Sequence, residues 1–202
     1  MRHTSLRRSA AGLLLAALLL DAGVAAAASH VRGAVTALAN GIATVRTTAG
    51  DSVEITLKPG FGLVVYRPIA LADLHPGDYL SIPSSRAPGG GKQAITIAVF
   101  PPALHGVGEG ESPWDRGPDS RMTNAAFATL AARGKDHTLV VAYQGKQETI
   151  AVPAGTPILA FAPDPARRLA VGDNAFFFVT DDGGKLVSPR AGVMADGSLP
   201  PM

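Results

Sequence analysis

Leu74-His-Pro-Gly77-Asp78 and Leu169-Ala-Val-Gly172-Asp173 are two versions of one turn, one in each half of the chain. Reading outward from both, the same landmarks recur in the same order. Upstream, Leu63–Tyr66 matches Ile158–Phe161, Pro59-Gly60 matches Pro153-Ala-Gly155, and Val53–Leu57 matches Thr149–Val152. Farther back, Ile42–Thr47 answers to Thr138–Tyr143, and Val35–Leu38 to Phe127–Leu130. Downstream, Tyr79–Ile82 answers to Ala175–Val179, and Ala94–Phe100 to Leu186–Val193, each pair divided by a Gly-rich turn. A fixed order of this length marks an internal repeat, and the fold has to be read as one unit used twice.

The unit is β-rich. Val53, Ile55 and Leu57 alternate with Ser52, Glu54 and Thr56, the period of a strand with one face buried. Turns such as Ala49-Gly50-Asp51 and Gln144-Gly145-Lys146 separate neighbouring runs as in hairpins. Leu71 and Leu74, three apart before Pro76-Gly77-Asp78, suit a single helical turn that plugs the base of a small barrel. Three strands, a helical turn and two strands are the order of an OB-like barrel, which leaves few open edges. The sequence therefore predicts an all-β protein of two tandem OB-like barrels, at residues 29–100 and 125–196, with a connector at 101–124 and a tail at 197–202. Residues 124–133 pull two ways. Asn124 and Gly134 bracket an Ala-rich run as helix caps would, whereas the repeat register makes Phe127–Leu130 a strand, and the register is followed here because tertiary pairing overrides propensity.

Residues 1–28 read as a cleavable signal peptide. Arg2, Arg7 and Arg8 form the basic start, Ala10–Leu20 the apolar run and Ala25-Ala26-Ala27 the small-residue site, with cleavage near Ala27 or Ala28. Asp21 ends the apolar run well short of the roughly 20 residues a membrane span needs. The expected location is the periplasm, with no transmembrane segment after cleavage. The signal would remove three of the 18 basic and one of the 16 acidic residues, leaving 15 of each. A neutral chain without a basic stripe lacks the electrostatic footprint of a nucleic-acid binder. With no cysteine, the fold relies on its core rather than on disulfides.

The connector holds the unrepeated chemistry. It contains His105, Glu109, Glu111, Trp114 (the only tryptophan), Asp115, Arg116 and Asp119. Long loops without regular structure are often binding loops or linkers. Trp114, Asp115, Arg116, Glu109 and Glu111 are accordingly the candidate binding residues, with Trp114 as anchor. The alternative has Trp114 filling a groove between the barrels while Arg116 pairs with Asp115 or Asp119. His105 with Glu109 and Glu111 offers the one weak metal-ligand set, since His30, His75 and His137 are each isolated and no HExxH occurs. Glu109 and Glu111 are also a candidate carboxylate pair for acid–base catalysis, although nothing in the sequence marks a cleft around them. Asp78 and Asp173, at one repeat position after a glycine, suit turn capping rather than catalysis. Gly106-Val-Gly108-Glu-Gly110 lacks the spacing and the helix of a dinucleotide loop. No catalytic residue is assigned and no cofactor is called for.

Gly33-Ala-Val-Thr-Ala-Leu, Ile42-Ala-Thr-Val-Arg-Thr and the Leu71–Asp78 turn together resemble a bacterial domain of unknown function found in exported proteins with OB-like β repeats. Gly106-Val-Gly-Glu-Gly-Glu-Ser-Pro-Trp-Asp, Met122-Thr-Asn-Ala and Leu199-Pro-Pro-Met resemble a proteobacterial group within it. The resemblance implies export and tandem barrels but no activity or catalytic residues. Members are sometimes labelled metal ABC transporter permeases, a label at odds with a chain lacking several spanning helices. The leading expectation is a non-enzymatic periplasmic binding or adaptor module, its partner an envelope protein or a small ligand. A periplasmic metal-handling accessory comes second, and a hydrolase with an unrecognised site third.

Overall fold

The structure, a computed structural model, describes residues 29–161 and 164–202; the expected signal peptide lies outside the described residues. Thirteen strands follow in chain order: β1 (Ser29–Ala39), β2 (Ile42–Thr47), β3 (Ser52–Pro68), β4 (Tyr79–Arg86), β5 (Lys92–Ala94), β6 (Ile97–Val99), β7 (Gly110–Pro113), β8 (Arg121–Arg133), β9 (Asp136–Tyr143), β10 (Lys146–Val152), β11 (Ile158–Phe161), β12 (Asn174–Asp182) and β13 (Lys185–Met194). The all-β, OB-like expectation is met. Residues 121–133 form a strand as the repeat register predicts, so cross-strand pairing outweighs the helix propensity of the alanines.

The ring β1-β2-β3-β13-β12 closes on itself, with β3 and β13 parallel and the other neighbours antiparallel. A second ring, β8-β9-β10-β5-β4, has the same order and the same single parallel pair, β10 with β5. Each is the strand order of an OB-like barrel. Their cores are separate. Val35, Val45, Ile55, Phe177, Val179 and Val193 fill the first, and Leu80, Ile82, Phe127, Leu139, Val141 and Ile150 the second. Fully burying side chains of this kind contributes about 1.5–3 kcal/mol each.

The assignment of strands to barrels corrects the tandem boundaries 29–100 and 125–196. The first barrel takes its first three strands from residues 29–68 and its last two from 174–194. The second lies between them, at residues 79–152. The repeated turn makes this exchange visible. Gly77 N donates to Phe127 O at 2.9 Å and Phe127 N to Asp78 O at 2.7 Å. In the other barrel Gly172 N donates to Val35 O and Val35 N to Asp173 O, both at 2.8 Å. Each turn thus docks on the first strand of the opposite copy. Leu74 packs in the second core and Leu169 against the first, so the plug also crosses over. The carboxylates cap as expected: His75 N donates to Asp78 Oδ2 at 2.7 Å and Ala170 N to Asp173 Oδ2 at 2.8 Å.

Between the barrels the end of β3 runs antiparallel to β11, with Tyr66 opposite Phe161, its own repeat equivalent. A pseudo-two-fold axis passes here. A third apolar cluster surrounds it, including Tyr66, Ala98, Leu159, Phe176, Met194 and Met202. Residues 197–202 are therefore no loose tail. Met202 is buried, Arg32 Nε donates to its carbonyl at 2.6 Å, and Thr96 Oγ1 donates to Pro201 O at 3.2 Å. The connector is also more ordered than predicted. A short turn of 3-10 helix at Pro102–Leu104 precedes β7, which pairs with Arg121–Asn124 of β8, so the last connector residues belong to the second barrel.

A cavity between the barrels under the connector

Phe176-Phe177-Phe178 of β12 places aromatic rings on both faces of one strand. Phe177 enters the first barrel, while Phe176 and Phe178 point out toward the pseudo-axis. Beside them, on β1, His30 stacks on Phe176 with ring centres 4.8 Å apart and meets the edge of Phe178 at 5.3 Å. The connector lays Trp114 over this wall, 4.1 Å from the His30 ring. From the axis come Tyr66 and Phe161, with Phe100 stacked on Phe161 at 4.7 Å. Met122, Ser81 and Asn124 supply the thinner wall from the second barrel.

Together these groups enclose a cavity of about 580 Å³ with a mostly apolar lining, within the size range that takes small ligands. Its mouth is bordered by the connector's Leu104 and Val107, 39% and 48% exposed, two of the four large hydrophobic residues most open to solvent among those described. A wider trough of about 630 Å³ on another face passes Pro68, His137 and Asp196, but it is more open and lacks aromatic walls.

The one charged side chain that lines the cavity is Arg190, whose guanidinium carbon sits 4.3 Å from the centre of the Phe178 ring. No Asp or Glu side chain lines it. Burial lowers the pKa of His30 below the ordinary value and favours the neutral ring; Asp115 opposes that shift and Arg32 and Arg190 reinforce it. Burial likewise pushes the Tyr66 phenol upward. Three buried polar atoms in the lining residues have no hydrogen-bond partner: His30 Nδ1, Trp114 Nε1 and Asn124 Oδ1.

The charged candidates from the sequence hold the connector down. Arg32 donates to Asp115 through Nη1 at 2.9 Å and Nη2 at 2.7 Å, a two-pronged pair with the first barrel. Burial alone would raise the Asp115 pKa; the Arg32 hydrogen bonds and charge outweigh it, so the carboxyl titrates below the usual range. His30 Nδ1 is 3.1 Å from Asp115 Oδ2 but makes no directed hydrogen bond. On the second barrel Glu109 accepts from Gln144 N at 2.7 Å, and Glu111 pairs with Lys92 and, at 3.5 Å, with Arg121. Arg116 is exposed and away from the cavity, and Asp115 pairs with Arg32 rather than with Arg116.

Of the candidate binding residues, the fold brings only Trp114 to the cavity. It both fills the groove between barrels and forms part of the wall. His105, Glu109 and Glu111 do not converge: the His105 ring packs on Tyr79 at 4.8 Å, the carboxylates are engaged elsewhere, and no metal-holding group of three His, Asp or Glu occurs among the described residues. A shallow cleft of about 340 Å³ does hold Glu111 and Glu148, but both are paired with Lys92. Glu148 also accepts from Tyr143 Oη at 2.9 Å, and burial together with that bond pushes the phenol up to about 12.

Sequence reading missed His30, Tyr66, Phe100, Phe161, Phe178 and Arg190. The signal lay in Phe176-Phe177-Phe178, because a strand apolar on both faces has to be covered on both faces. Comparison with family models, curated proteins and solved structures finds no match, so the chemistry of the site rests on its own geometry.

Proposed function

We propose that this chain is an exported, periplasmic binding module without catalytic activity, whose ligand enters the aromatic cavity between the barrels. The observation behind this reading is the cavity itself. Apolar walls from both barrels meet a connector tied at Asp115 to one and at Glu109 and Glu111 to the other. A built recess with a few polar groups is the usual form of a small-molecule site. With no Asp or Glu side chain in its wall, the cavity favours binding over acid–base chemistry. No helix among the described residues is long and apolar enough to cross a membrane, which disfavours a permease.

Trp114, the single tryptophan, is a built-in reporter. Titration with neutral phenylnaphthylamine should quench its emission saturably at one site per chain, with energy transfer to the probe. Trp114→Phe should lose the transfer while retaining the probe's own enhancement. Trp114 emission indifferent to the probe would overturn the reading in favour of an adaptor that works through its surface.

A further inference from the structure

We propose that the cavity selects an anionic ligand, a flat and largely apolar body with one acidic head, held at the mouth by Arg190. This rests on the cavity being the binding site and adds its chemical class.

Two observations converge on it. First, the charges are one-sided. Arg190 is exposed at the cavity and makes no ion pair among the described residues, while the partly buried Arg32 is matched by Asp115. With no Asp or Glu side chain in the wall, an acidic head on the ligand is the group that would pair with this guanidinium. The charge is felt inside, since Arg190 works against protonation of His30 and against burial's upward push on Tyr66.

Second, the walls are rings. Phe100 is stacked on Phe161 at 13°, and His30, Trp114 and Phe178 line the same cavity. Faces of this kind pack best against a planar apolar body. A guanidinium beside aromatic walls suits a planar body that carries an acidic group.

The test compares two probes of similar shape on the intact protein, with Trp114 quenching as readout. Anilinonaphthalene sulfonate carries the acidic head and phenylnaphthylamine lacks it. The sulfonate should bind at least about tenfold more tightly at low salt, with the advantage shrinking as ionic strength rises. Arg190→Gln should remove that preference, the sulfonate losing at least about tenfold more affinity than phenylnaphthylamine, and Arg190→Lys should retain part of it. Circular dichroism and thermal melting verify that each variant is folded, and Arg190 is exposed, so its replacement spares the core. Equal affinity for the two probes, or a preference that survives Arg190→Gln, overturns the anionic class and leaves the cavity standing. Trp114 silent to both probes removes the cavity reading and this one with it.

Discussion

The two barrels present equivalent faces to the pseudo-axis, and the faces differ. On the first barrel His30 pairs with Phe178 and Arg32 with Phe176. At the matching positions of the second barrel Met122 pairs with Pro83 and Asn124 with Ser81. The backbone is duplicated to the level of the bulge, which falls at Val35/Ala37 in one copy and at Phe127/Thr129 in the other. One wall is thus built of rings and an ion pair, and the other of small or flexible groups. Space remains between them because the second copy lacks the phenylalanines of the first. In a protein whose interior is close-packed, a recess is created by withholding volume on one side while rigid rings hold the other.

Making the two faces alike is the strongest way to break this comparison. Ser81→Phe installs the ring that Phe176 supplies on the other barrel, and it should close the recess. Phenylnaphthylamine affinity should fall at least about 100-fold, with thermal stability changed by less than about 3 kcal/mol; unchanged binding would show that the probe lodges elsewhere.

Gly192→Ala probes the axis. An added Cβ would overlap the Tyr66 ring, whereas the equivalent position in the second barrel, Ala98, already has a methyl group packed in the interface cluster. Overpacking predicts a loss of about 1–3 kcal/mol, read as a lower denaturant midpoint, while Ala98→Gly should cost about 1 kcal/mol.

Arg32→Ala should release Asp115 and the Met202 carbonyl together, destabilising by about 1–2 kcal/mol. The equivalent substitution, Asn124→Ala, should cost less, because the Asn124 side chain makes one long bond, to Val107 O at 3.4 Å. Equal effects would mean that the connector is not latched at Asp115.

The smallest effect is a pH dependence confined to the aromatic wall. His30 is faced by Asp115, Arg32 and Arg190, and its pKa is lowered in the fold. The unfolded chain then binds the proton more readily, so the stability from His30 is present above the unfolded pKa of about 6.5 and declines as pH falls through the folded value. Asp115 works in the other region. Its depressed pKa keeps the latch charged until pH falls below the ordinary carboxylate value. Thermal melts between about pH 7 and pH 5 should show a shallow slope that His30→Gln abolishes, while Met122→His, at the equivalent position, should introduce a slope of its own.

Strand content was readable in the sequence because period-2 alternation and Gly-bearing turns are local. The exchange of strands was not. The repeated turn offers the same Gly N–H and Asp carbonyl in both copies, so Gly77 could serve either Val35 or Phe127 on local grounds. What decides is the run of β3 through Tyr66 to Pro68, which carries the chain past the axis before it can turn back. At the site, Trp114 was visible because it is unique. Arg190 and Tyr66 were not, since an outward-facing strand residue reveals its neighbours only once the second sheet is placed.

The insertion of one barrel within the other also sets the order in which the molecule can be finished. As the chain emerges from its N-terminus, residues 79–152 contain every strand of the second barrel. The first barrel has had three strands waiting since residue 68, and it cannot close before residues 174–194 arrive. The part begun first is completed last, because the whole of its neighbour lies between its third and fourth strands in the chain. The last strands therefore act as a clasp, and the recess, which needs Phe178, Arg190 and Met202, comes into being only when that clasp shuts.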